Sequence, residues 1–501
     1  MERLKLNFRI TAVVAVLSVF ICSDLAYATN CGPKPPAKPN RIKGGEGFPP
    51  LPLPVTPLRR TEKKRQPSPP TLIIKVIYRG KTGHVDDHGQ PRMDWTTAFG
   101  DIKRLLIQAN TILGIQYTAR EMWLREFHFD PTETPILYFT GQEPFSWNNE
   151  ERVKLREFII NGGTVWAAAG WGKKPFIDSF VHEMSIIFPD RPLHVLDIDH
   201  PIFSIYYPIT QVRYRSDKTF HSDVPKLEGI NIGCRTAVIF SRHDLSCGWD
   251  NHTHNEGERY DISAAKSIGV NMLAYALAYY KTGLMLRYEV KYEDTRIDSN
   301  EDFYIGHIKH NGDWDPNPSA LQNLMLETAK ATKIKVNFQV QDVDLAFTDL
   351  FQFPFLYMCG HFDFGLDKDE VQSLAKYLEG GGFLLAESCC GRLGFDLSFR
   401  REIKKIFPDN KLERIPIGHE LFNIHSRITS VDYTDLVDKE RPGFASPYLE
   451  GIVIDGRYVL VYSKYGLANG WERIPHPNTR GVEIRDAFRI GVNAIIYSMT
   501  H

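Results

Sequence analysis

The stretch Gly381 to Phe395 reads GGFLLAESCCGRLGF. Two glycines lead into a short apolar run that ends in Cys389, Cys390 and Gly391. An α/β fold writes a strand followed by a sharp turn in this way, with small residues where the backbone crowds. The pattern also stands earlier in the chain, as GGTVWAAAGWGKKPF from Gly162 to Phe176. Two elbows of the same design in one chain ask for a comparison of everything around them.

That comparison reveals a duplication. TPILYFTGQEPF (Thr134 to Phe145) matches FPFLYMCGHFDF (Phe353 to Phe364), IIFPDRPL matches KIFPDNKL, and DHPIF (Asp199 to Phe203) matches GHELF (Gly418 to Phe422). One offset serves all of them, from Asp94-Trp95 against Asp313-Trp314 to Ile205 against Ile424. At a slightly larger offset AVIFSRHDLSCGWD matches VLVYSKYGLANGWE, and SIGVNMLAYAL matches RIGVNAIIYSM. A period of about 220 residues exceeds any solenoid unit and marks a duplicated domain. The first copy spans 72–283 and the second 284–501.

Within each copy strand and helix alternate. In the second, a helix over Ser319 to Ala331 leads to a strand over Lys333 to Val340, and PFLYMCG is a buried strand. The next helix opens at Asp367, with Asp369 and Glu370 in the first turn where the helix dipole favours acids. It stops at Gly380-Gly381-Gly382, and FLLAE is the following strand. Continuous apolar strands joined by helices predict a parallel sheet covered on both faces, so the fold class is α/β, two tandem doubly wound domains.

Ahead of the repeats, Arg3, Lys5 and Arg9 precede an apolar run from Ile10 to Cys22, and Ala26-Tyr27-Ala28 fits a cleavage site. Residues 1–28 read as a signal peptide, because the apolar run from Ile10 to Cys22 is too short to span a bilayer comfortably. Residues 29–71, rich in Pro, Lys and Arg, read as an extended tether. The 501-residue chain is 43% hydrophobic and 24% charged, the composition of a globular protein, and its net charge of −1 offers no field for nucleic acid or an anionic membrane. Past the leader stand Cys31, Cys234, Cys247, Cys359, Cys389 and Cys390, with no metal-type C-x-x-C pair; Cys234 with Cys247 is the candidate disulfide.

Glu387 to Gly391 resembles the G-x-C-x-G elbow of class I glutamine amidotransferase-like domains, with Cys389 at the nucleophile position. Glu387 replaces the first glycine, and a carboxylate beside a thiol raises the thiol's pKa. In the first copy Gly170 stands where Cys389 does, so that copy has no nucleophile there. The His and Glu two residues apart that such domains supply are not found late in the second copy. The candidate bases for Cys389 are therefore His361, which follows a strand, and His419; the alternative is that Cys389 and Cys390 are small apolar turn residues.

His200 and His419 occupy equivalent positions, each followed by x-[IL]-F, and either face the strand-end cleft or fix their loop by hydrogen bonding. Gln142 stands where the second copy has His361, a swap that keeps hydrogen bonding and removes base chemistry. Both copies keep a Gly-Trp pair; Trp249 and Trp471 are candidates for a stacking surface, or they lock loops. The insertion carrying His84, Asp86, Asp87 and His88, and the pair His252 and His254, are read as solvated loops, with ion binding by the first group left open.

GDWDPNPSALQNLM, FLYMCGH, YLEGGGFLLAESCCG, FRREIKKIFPDN, YGLANGWE and FRIGVNAIIYSM together resemble the bacterial family known as domain of unknown function 4159. The resemblance implies a flavodoxin-like, glutamine amidotransferase-like domain fold and transfers no catalytic residue or cofactor. With the leader it points to the cell envelope, periplasmic or secreted. The preferred expectation is a non-catalytic binding or scaffolding protein for an envelope protein or small ligand, with no membrane span in the mature chain. The alternative is a hydrolase or amidotransferase-like enzyme working from Cys389.

Overall fold

Thr164–Ala169 and Leu384–Ser388, the strands that lead into the two elbows, bury every side chain. A strand buried on both faces needs cover above and below, because its apolar side chains project to both faces of the sheet and helices keep them from water. The computed structural model describes residues 69–78, 81–85, 91–96, 98–252, 256–286, 302–332, 337–474 and 476–501. The leader and the tether through residue 68, Asp86, Asp87, His88 and His254, and the side chain of His84 lie outside that description.

The first repeat forms a sheet from β1 (Thr71–Ile77), β2 (Thr118–Trp123), β3 (Ile136–Gly141), β4 (Thr164–Ala169), β5 (His194–Val195), β6 (Glu228–Ile232) and β7 (Arg235–Ser241). The second uses β8 (Asp302–Ile308), β9 (Asn337–Val343), β10 (Phe355–Gly360), β11 (Leu384–Ser388), β12 (Glu413–Arg414), β13 (Leu449–Ile454) and β14 (Arg457–Ser463). The orders are β2-β1-β3-β4-β7-β6-β5 and β9-β8-β10-β11-β14-β13-β12, so the two seven-stranded sheets share one permutation. Six strands of each sheet run in one direction, and the hairpin (β6–β7, β13–β14) contributes the one reversed strand, β6 or β13, antiparallel to both of its neighbours. The hairpin bulge falls between Ile230 and Asn231 and again between Ile452 and Val453.

Helices α1 (Asp101–Leu113), α2 (Asn149–Ile160), α3 (Lys174–Ile187) and α4 (Ile262–Leu286) belong to the first repeat, and α5 (Ala320–Ala331), α6 (Lys368–Glu379), α7 (Leu393–Ile406) and α8 (Ile484–Thr500) to the second. Equivalent helices start alike with different residues. Asn148 and Glu151 form a capping box on α2, and Asp367 and Glu370 form one on α6, each satisfying first-turn amides that the helix leaves open. Among the described residues no helix is long and apolar enough to cross a membrane.

Two expectations shift. Of the strand predicted over Lys333 to Val340, residues 337–340 fall in β9, Asn337–Val343, and residues 333–336 lie outside the described residues. Cys234 does not pair with Cys247: Cys247 is disulfide-bonded, whereas Cys234 is a free, buried thiol in the turn between β6 and β7. The strand registers set Lys75 against Tyr138 and His307 against Tyr357, which makes His307 the counterpart of Lys75.

Candidate functional site

The elbow after β11 is a single tight turn, Cys389–Gly391, running straight into α7. Cys390 (φ 56°) and Gly391 (φ 62°) are both left-handed, and in the first repeat Trp171 (φ 57°) and Gly172 (φ 64°) repeat the pair. Two successive left-handed residues reverse the chain in the least length, and a non-glycine residue at the first of them costs roughly 1–3 kcal/mol. The raised, strained thiol is therefore Cys390. Cys389, the nucleophile position expected from the sequence, precedes the left-handed pair, and its sulfur lies beside Asn317 and Asn469.

His361 closes in from the end of β10. Its Nε2 is 3.4 Å from the Cys390 sulfur, and its Nδ1 is 2.6 Å from Asp313 Oδ2. Asp313 sits in the loop after β8, in the Asp-Trp pair that both repeats share. The Asn469 amide donates to the Cys390 sulfur at 3.3 Å, and the Asn317 amide donates to the Cys389 sulfur at 3.1 Å. Cys390, His361 and Asp313 thus form the line thiol–imidazole–carboxylate in which a carboxylate fixes the imidazole tautomer.

The first repeat covers this line. Gly233, left-handed at φ 61°, turns the β6–β7 hairpin so that Cys234 projects into the second repeat, 3.3 Å from the Cys389 sulfur. Asn231 at the hairpin bulge donates to Asp313 Oδ2 at 3.3 Å and is itself held by Thr236. His200 bonds the Thr236 hydroxyl through Nε2 at 2.9 Å and accepts from the Ile202 amide through Nδ1. Across the seam Arg392 Nη1 donates to the Asp199 carbonyl at 3.0 Å, the Leu393 amide donates to the Asp199 carboxylate, and the His194 and Phe362 rings stack at 4.5 Å. The remaining space, lined by Asp197, His200, Asn231, Cys234 and Arg392, is a cavity of about 10 Å³, about the size of one water.

The electrostatics follow from burial and pairing. Hydrogen bonds with Cys234 and Cys389 hold the Cys390 thiol well below its usual range against the cost of burial, and His361 adds its charge. Burial alone would lower the His361 imidazole, but the charge on Cys390 and the bond to Asp313 raise it to about 9. Burial pushes Cys389 and Cys234 well above the thiol range. Burial and pairing thus push Cys390 and His361 toward their charged forms and Cys389 and Cys234 toward their neutral ones, and Cys390 is 2% exposed.

Glu387 directs its hydrogen bonds away from the elbow thiols. Its carboxylate accepts from the Tyr357 hydroxyl at 2.6 Å and from the amides of Leu467 and Ala468, capping the short helix Ala468–Glu472. In the first repeat Ala168 replaces it, and Asp244 does the capping instead, accepting from the amides of Cys247 and Trp171. His419 stays out of the centre. It caps its own loop by accepting from the Leu421 amide and packs on Tyr458 and Tyr497. His200 does the same on its loop but also lies at the seam.

Trp249 and Trp471 offer no stacking surface, since both are buried and each donates its indole N–H to a helix carbonyl, Ala265 at 2.7 Å and Ala487 at 2.8 Å. Gln142 takes the place of His361, its backbone amide bonded to Asp94, the counterpart of Asp313. The first repeat therefore reads Trp171, Gln142, Asp94 where the second reads Cys390, His361, Asp313. His252 faces Asp250 at 3.9 Å on a separate edge of the first repeat. Asp313, Asn231, Asn317 and Asn469 were not singled out as site residues from sequence; the Asp-Trp repeat was the one available signal, for Asp313.

A family profile described as Domain of unknown function (DUF4159) matches residues 83–277 and again 304–499. The chain belongs to that family, as two tandem copies. No curated protein matches it. Among solved structures, the exo-beta-1,4-mannosidase Op5Man5 from Opitutaceae bacterium strain TAV5 aligns at 12% identity over 44% of this chain and 35% of the enzyme, with a TM-score of 0.20. The chain thus spans about a third of that enzyme's length, and so low a score carries no argument about fold or activity.

Proposed function

We propose that this chain is a non-catalytic binding or scaffolding protein of the cell envelope, in which the first repeat serves as a permanent cap on the elbow of the second. The observation that carries this reading is the burial of Cys390 and His361 beneath Cys234 and Asn231, with no more than a water-sized cavity beside them. A nucleophile must meet its substrate, and substrate pockets run to several hundred Å³. The strand order β2-β1-β3-β4-β7 supports a flavodoxin-like core within each repeat, extended by the antiparallel hairpin. Export rests on the leader read from residues 1–28.

One observation favours the alternative, a cysteine-dependent hydrolase: the alignment of Cys390, His361 and Asp313 behind a strained elbow. That reading requires the repeats to part. Native thiol labelling with an uncharged chloroacetamide, read by peptide mass spectrometry, separates the two. Capping predicts that Cys390 is modified only as fast as the chain unfolds. Rapid, saturable modification of Cys390 in the folded chain, abolished by His361→Ala, would sink the scaffolding reading.

A further inference from the structure

Three cysteines from two domains and one histidine meet at one point of the seam. The Sγ atoms of Cys234, Cys389 and Cys390 and a ring nitrogen of His361 all lie within 4.8 Å of one another, and all four residues are buried. Cys234 is 3.3 Å from Cys389, Cys389 is 4.0 Å from Cys390, and His361 Nε2 is 3.4 Å from Cys390. We propose that these four side chains bind a thiophilic divalent cation, zinc, which staples the first repeat to the second.

The spacing is within a small adjustment of a tetrahedron. With metal–sulfur bonds of about 2.3 Å and a metal–nitrogen bond of about 2.0 Å, ligand atoms stand roughly 3.5–3.8 Å apart, against 3.3, 3.4 and 4.0 Å for the three pairs above. The sulfurs are also too far apart for bonds to each other, which measure about 2.05 Å. The surroundings suit a metal as well as the ligands do. Asp313 occupies His361 Nδ1 and so turns Nε2 toward the sulfurs, the usual partner of a metal-bound imidazole. Asn317 and Asn469 donate amide N–H to Cys389 and Cys390, as groups stabilising thiolates do. Three thiolates and a neutral imidazole around a divalent ion carry a net negative charge, and the buried Arg392, which lines the adjoining cavity with Cys234 and His361, sets a positive charge nearby.

The site is closed, with four protein ligands and no open position, which is the form of a structural centre. Among the described residues it forms only at the junction. The first repeat has Gly170, Trp171 and Gln142 at the corresponding places, and the hairpin tip of the second repeat, Asp455-Gly456, has no cysteine and is exposed. The other free thiol among the described residues, Cys359, lies apart and faces the Trp314 carbonyl at 3.5 Å. The inference goes beyond the capped-elbow reading and can fail without it: thiols that are metal-free yet unreactive would end the metal proposal and leave the cap.

The test uses the full chain, purified without chelators. Elemental analysis is expected to find zinc equimolar with protein, and cobalt(II) exchange to give the intense thiolate charge-transfer and tetrahedral d–d absorption bands. Cys389→Ser should remove those bands and Cys359→Ser should leave them. Asp313→Asn, which keeps all four ligands, should weaken zinc affinity about 10–100-fold. The wild-type cobalt spectrum needs no variant to fold. Metal-free protein that yields no tetrahedral cobalt spectrum, or a peptide map showing a Cys234–Cys389 disulfide, would overturn the proposal.

Discussion

The sulfur of Cys234, at the tip of a hairpin in the first repeat, sits 3.3 Å from the sulfur of Cys389 at the elbow of the second. The contact joins two copies of one fold asymmetrically, because the matching tip of the second repeat, Asp455-Gly456, points into solvent. A hairpin turn and an elbow that each copy possesses have become lock and key only once.

Removing the tip thiol tests whether this contact caps the elbow. Cys234→Ala deletes the one side chain that reaches from the first repeat to the Cys389 sulfur. Native labelling of Cys389 and Cys390 is expected to quicken about tenfold, the equivalent of about 1.4 kcal/mol of easier local opening. An unchanged labelling rate, followed by peptide mass spectrometry, would show that the tip is not the cap.

The elbows should respond alike to a methyl group. Gly391 and Gly172 are left-handed, and a Cβ on them would stand 2.6 Å from Arg480 Cβ and 2.7 Å from Glu258 Cβ. Gly391→Ala and Gly172→Ala are each expected to cost about 1–3 kcal/mol in urea unfolding. A loss at one position alone would mean that the two turns are not mechanically equivalent.

Trp249 and Trp471 are expected to act as anchors. Replacing either with Phe keeps most of the apolar bulk and leaves a buried helix carbonyl, of Ala265 or Ala487, without its donor. The expected cost is about 1–3 kcal/mol in each case. If calorimetry shows either variant as stable as the parent, the indole hydrogen bond is not what fixes that helix.

The carboxyl of Glu472 sets a pH dependence with a definite sign. It holds the start of α5 by accepting from the Ser319 hydroxyl at 2.7 Å and the Ser319 amide, and burial pushes it up to about 7. An acid raised in the folded state contributes stability that is whole below its unfolded value, about 4.5, and is lost as pH rises through about 7. Glu472→Gln should therefore lose less stability than the parent between about pH 5 and pH 8, by up to about 3 kcal/mol. Parallel pH profiles for the two proteins would refute this assignment.

Much of the fold could be read before any coordinates. The matched elbows fixed the duplication, the glycines after α6 marked its end, and Asp367 marked its start, because these signals are local. The choice between Cys389 and Cys390 could not be read, since adjacent cysteines differ only in φ, and φ is set by how β11 meets α7. Trp249 and Trp471 looked like surface candidates because a repeated Gly-Trp pair does not say which way the indole points.

The sequence alone determined two tandem α/β repeats, one with a thiol-bearing elbow and one without. It did so because periodicity, capping and turn chemistry act over a few residues and were written twice. That Cys234 belongs with Cys389, Cys390 and His361 was decided only by the tertiary structure. The hairpin carrying Cys234 and the elbow it meets lie far apart in the chain, and no local rule couples a turn in one domain to a turn in the next. Only the packing of one folded repeat against the other brings the four ligand atoms within reach of a single ion.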